Sequence, residues 1–113
     1  MDSESVDRDV WLNEIGHRLE TSPARELLIL RGVDASTLLA VATLDARTAD
    51  RRGRITLSHK QAAKRLEISP TTVARVHAVL IELGALVIHG FWPARRAPIR
   101  FLRRPPRGLW LAM

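Results

Sequence analysis

Thr71 and Arg75 stand four residues apart, just after the pair Ser69-Pro70. On a helix that spacing puts both side chains on one face, one turn apart. Arginine carries a planar fork of N–H donors that can grip two acceptors at once, and threonine adds a hydroxyl and a methyl. The pair suits a flat, acceptor-rich edge such as O6 and N7 of guanine, with the methyl available to thymine. Lys60, Lys64 and Arg65 lie upstream and Arg95 and Arg96 downstream, cations suited to phosphate oxygens. Each of these side chains also has a plainer reading as solvated surface charge.

The elements that must position them run from Ser58 to Gly84, SHKQAAKRLEISPTTVARVHAVLIELG. Ser58 followed by Gln61 is a capping box, in which the hydroxyl takes the N3 amide and the glutamine reaches back. The helix it starts carries Ala62, Ala63 and Leu66 on one side. Ser69 caps the next helix, with Pro70 at its first position, where a missing N–H costs nothing. Val73, Val76, Leu80 and Leu83 then recur as one apolar stripe, and Gly84 supplies the stop. The face opposite that stripe is Pro70, Thr71, Ala74, Arg75 and Ala78. Glu67-Ile68 joins the helices, with Ile68 as the plug between them.

The pattern A-A-K-R-L-x-I-S-x-x-T-V-x-R, followed by L-x-x-L-G-x-L-V, resembles the winged helix-turn-helix domains of bacterial, phage and plasmid regulators and replication initiators. The likeness covers about residues 34–103. It implies a recognition helix, 70–83, in the major groove of double-stranded DNA, presenting Ser69, Pro70, Thr71, Thr72, Ala74 and Arg75. It implies phosphate contacts from Lys60, Lys64 and Arg65, and a wing over 86–103 whose tip holds Arg95 and Arg96. Many relatives have glycine where this chain has Glu67, so the turn must avoid or tolerate a left-handed backbone there. The function implied is sequence-specific DNA binding in transcription regulation. Plasmid or phage replication or partition is the alternative, and a protein-binding adaptor is the alternative of another class.

Charge supports a polyanionic partner. Net charge is +6, and residues 1–34 carry eight acids and four bases against four acids and fourteen bases in 35–113. A basic body with a segregated acidic end fits a polyanion-binding surface with a separate second surface. There are no cysteines, so disulfides and thiolate metal sites are excluded. The apolar runs at Leu27–Leu30 and Leu38–Val41 are too short to span a bilayer, and the acidic start does not read as a signal peptide. A cytoplasmic protein is expected. His17, His59, His77 and His89 share no ligand spacing, and no nucleophile elbow or phosphate-cradling glycine loop occurs. No metal, cofactor or catalysis is expected; His77 reads as a packing or phosphate-contact residue.

Residues 5–20 form an amphipathic pattern capped by Ser5, with Trp11, Leu12, Ile15 and Leu19 in a stripe. That stripe is either a homodimer face or core of the same domain; two-fold operators favour the dimer. Pro23–Arg31 reads as a helix ending at Gly32, and Asp34 caps a third helix, Ala35–Arg47, expected to be the most buried. Arg54–Leu57, RITL, alternates like a strand, and the runs around Pro93–Pro98 form a hairpin. The expected class is α+β, mainly α, in the order α-α-α-β-α-α-β-β. Its parts are a helical arm 1–33, a winged domain 34–104 and a tail 105–113.

Overall fold

The computed structural model describes residues 7–104, so Ser5 and the tail 105–113 lie outside the described residues. The described chain is α+β and mainly helical. Helices α1 (Arg8–Arg18), α2 (Ser22–Arg31), α3 (Ala35–Thr48), α4 (His59–Leu66) and α5 (Pro70–Glu82) precede two antiparallel strands, β1 (Leu86–Trp92) and β2 (Ala97–Leu102). Among the described residues no single helix is long and apolar enough to cross a membrane.

Side chains satisfy the orphan amides at each helix start. Asp7 takes the amides of Asp9 and Val10 at 3.0 and 3.1 Å, two residues inside the expected start. Thr21 caps α2, accepting from Ala24. Asp34 caps α3, and Ser58 with Gln61 closes the capping box of α4. Ser69 caps α5, with Pro70 beginning the helix. Its C-terminus closes on Gly84 (φ 76), with Gly84 N–H donating to Ile81 and Ala85 N–H to Leu80. This pair of bonds satisfies two terminal carbonyls and needs the left-handed glycine. Helix α4 ends on the same backbone conformation without a glycine: Glu67 has φ 58.

Helices α3 and α5 share the centre of one core. Leu38, Val41, Ala42, Asp45 and Ala46 of α3 are buried with Val73, Val76, His77, Val79 and Leu80 of α5. The third helix is thus less enclosed than its apolar content predicts, since Leu39 stays on the surface and Leu44 is only partly covered.

Two expectations are corrected. Trp11, Ile15 and Leu19 do not form a free dimerisation face, because all three are buried in the chain's own core, with Leu12 packed against it. The Trp11 indole Nε1–H donates to the Ala85 carbonyl at 2.9 Å. Arg8 donates to the carbonyls of Ala46, Ala49 and Asp50 at 2.9, 2.8 and 2.6 Å, where the C-terminus of α3 leaves acceptors unmet. Helices α1 and α2 are therefore a layer of the domain and not an arm. An amphipathic stripe looks the same in sequence whether its cover is intramolecular or a second chain.

Residues 54–57 likewise do not form a strand. Arg54 makes a single antiparallel bridge to Phe101, supported by Leu102 N–H to Gly53 O at 2.9 Å and Ile55 N–H to Arg100 O at 2.8 Å. Beyond Ile55 the chain turns away to start α4 at Ser58, and the Thr56 hydroxyl donates back to Thr48 O at 3.3 Å. Among the described residues the sheet is thus the hairpin β1–β2, paired from Leu86↔Leu102 to Trp92↔Ala97. Its register slips between Ile88 and Phe91, where Gly90 has φ 92. An added Cβ there would stand 3.2 Å from the Ile99 Cδ1.

Candidate nucleic-acid interface

Helix α5 separates its faces as the spacing predicts. Val73, Val76 and Leu80 are fully buried, while Thr71, Arg75 and Ala78 are exposed along the opposite line. Ala74 is half-buried at the edge of that line. The Ser69 and Thr72 hydroxyls are 2.8 Å apart and bonded to each other, and Ser69 Oγ also accepts from the Thr72 amide. Their hydrogen-bonding capacity is partly committed to the cap. Thr71 and Arg75 are the polar side chains that reach outward from the first two turns.

Helix α4 packs on α5 and α3 through buried Ala62 and Ala63, leaving Lys60, Lys64 and Arg65 exposed. The three-residue turn Glu67–Ser69 sets the angle between the helices, with Ile68 packed against the core. Glu67 tolerates the left-handed backbone although L side chains with a Cβ disfavour it by about 1–2 kcal/mol.

The hairpin tip is basic and braced. Arg95 and Arg96 are exposed, and Arg96 takes a positive φ of 53. The Arg95 guanidinium lies 5.2 Å from the centre of the Trp92 ring and the Arg54 guanidinium 5.3 Å. Both are within cation–π range, which ties the tip to the loop before α4. Arg54 is itself held by Asp50, Nε to Oδ2 at 2.6 Å. Burial pushes the Asp50 carboxyl up, but hydrogen bonds from Arg54 and Arg52 and the Arg54 charge outweigh it and leave the group lowered.

One polar feature was not foreseen. His77, 2% exposed, lies in the middle of α5 with Nε2 2.9 Å from Oδ2 of Asp45, which is 1% exposed on α3. Its Nδ1 is 3.1 Å from Nε2 of His59 at the start of α4. Burial, then the charges of His77 and Arg100, push His59 down to about 4. Burial also lowers Arg100, partly offset by Asp45. Asp45, His59 and His77 are 14 to 32 positions apart in sequence, beyond the range of a local motif. The available signal was a carboxylate and an imidazole at inward positions of two apolar helices. Among the described residues no three His, Asp or Glu side chains are arranged to hold a metal ion.

Comparison of the chain with protein-family models, with curated proteins and with solved structures gave no match.

Proposed function

We propose that the chain is a winged helix-turn-helix domain that binds double-stranded DNA sequence-specifically, with a role in transcription regulation. In this reading α4 and α5 are the helix-turn-helix, α5 enters the major groove and the β1–β2 hairpin is the wing. The observation that carries it is the division of α5: a fully buried Val73, Val76 and Leu80 line behind an exposed Thr71 and Arg75 near the capped N-terminus. That is the end such helices present to base edges. Lys60, Lys64, Arg65, Arg95 and Arg96 are all exposed and supply phosphate-binding charge. The deciding experiment is fluorescence anisotropy with a random duplex over a salt series. Log affinity should fall linearly with log salt, at about −0.9 per phosphate neutralised. Absence of binding at low salt would refute the reading.

A further inference from the structure

Between the start of α4 and the hairpin lies a cleft of about 330 Å³, lined among others by Ser58, His59, Trp92, Arg95, Arg96 and Arg100. Three of its lining residues are arginines, and none is a carboxylate. Arg100 has its Nε buried with no hydrogen-bond partner, and Asp45 Oδ1 behind the cleft is likewise unpartnered. A buried donor left unmet favours any acceptor that can reach it. His59 joins the cleft wall to the buried pair His77 and Asp45.

We propose that this cleft binds a tetrahedral oxyanion, a phosphate group, and that binding draws one proton onto the coupled His59–His77 pair. The hydrogen-bond chain dictates the coupling. With both imidazoles neutral, His77 Nε2–H donates to Asp45, its Nδ1 accepts from His59 Nε2–H, and His59 Nδ1 is left as a bare acceptor. That polarity repels an anion. One proton from solvent, entering at His59 Nδ1, reverses it. The bridging proton passes from His59 Nε2 to His77 Nδ1, so His77 becomes an imidazolium donating to both neighbours. His59 then presents Nδ1–H outward as a donor, and the positive charge sits beside Asp45.

The charged groups around the pair set the direction of the linkage. Asp45 from α3, bonded to His77, favours the added proton; Arg100 from β2 opposes it, and Arg95 and Arg96 of the hairpin add positive charge on the same cleft. With the cleft empty, burial first, and then positive charge on His77 and Arg100, hold His59 down. An oxyanion offsets the arginines and so favours the added proton. Anion affinity therefore strengthens as pH falls from neutral, by up to about tenfold per pH unit while one proton is taken up, and then levels off.

Phosphate on a DNA backbone and phosphate on a free small molecule present the same group, so the probe is inorganic sulfate, whose charge is constant across the range. NMR titration of the chain without DNA, between about pH 5 and pH 8, should shift the His59 ring and the Arg100 Nε–H, with the pH dependence above. His59→Gln should bind sulfate with that dependence gone. Arg95→Ala, on the exposed tip, should weaken sulfate at every pH and keep the slope. No preference for sulfate over chloride at equal ionic strength overturns the site, and a pH slope that survives His59→Gln overturns the proton coupling. A duplex that displaces sulfate assigns the phosphate to DNA; one that binds alongside it assigns a free ligand. Because sulfate binding is read without DNA, it stands or falls apart from the DNA-binding proposal.

Discussion

The indole Nε1–H of Trp11 donates to the carbonyl of Ala85, a contact spanning 74 residues that pins the first helix to the end of the fifth. The same carbonyl accepts from the Arg103 amide at 2.8 Å. Trp11 is fully buried, so Trp11→Ala should cost roughly 3–5 kcal/mol, a large share of a domain's stability. Trp11→Phe keeps most of the packing and leaves Ala85 one donor, so its cost should be near 1 kcal/mol. Urea unfolding checks both. Removing residues 1–31 should abolish cooperative unfolding; a folded truncation would show that these helices are dispensable after all.

The left-handed backbone of Glu67 yields a stabilising substitution. Glu67→Gly removes about 1–2 kcal/mol of steric cost and returns part of it as unfolded-chain entropy. A net gain of about 0.5–1 kcal/mol, a few degrees in Tm for a chain this size, is expected in calorimetry. Glu67→Val should be worse than wild type, because a β-branched side chain fits that conformation least.

Arg75 and Lys64 should separate specificity from affinity. In the proposed function Arg75→Ala loses preference at one G·C pair, worth about 1–3 kcal/mol of discrimination, and retains its salt slope. Lys64→Ala should keep the preference and make the slope shallower by about one phosphate contact. Binding-site selection on both variants, with salt titrations, reads the two effects independently.

Stability should also depend on pH through His59. Its folded pKa, about 4, lies below the ordinary histidine value. The unfolded chain therefore binds the extra proton first, and stability falls as pH is lowered through the ordinary value towards 4. Above that window the group contributes no slope. Unfolding midpoints measured across it should flatten in His59→Gln, whereas an unchanged profile would assign the slope to other groups.

Much of this architecture was legible because local chemistry wrote it. The caps at Asp34, Ser58 and Ser69 and the stops at Gly32 and Gly84 place one or both ends of four helices to within a residue or two. The burial of Val73, Val76, Leu80 and Leu83 follows from their period. Features that depend on what a face meets were not legible. Trp11 and Ile15 needed a cover that sequence could not assign to self or partner. Arg54–Leu57 alternates like a strand but has only Gly53–Ile55 in reach of β2 before the Ser58 cap bends it away. The Asp45–His77–His59 chain joins three helices, and each residue alone looked ordinary.

The register slip around Gly90 bears on self-association. Strand β1 pairs with β2 on one side, and no other described strand covers its second edge. That strand also exposes Val87, Ile88 and Phe91, the makings of an adhesive template for another chain. A template works only if its amides and carbonyls keep a two-residue repeat. The extra residue between Ile88 and Phe91 breaks that repeat midway and increases the local twist. The two halves on either side of Gly90 are left out of phase, so β1 presents no continuous ladder along its free edge.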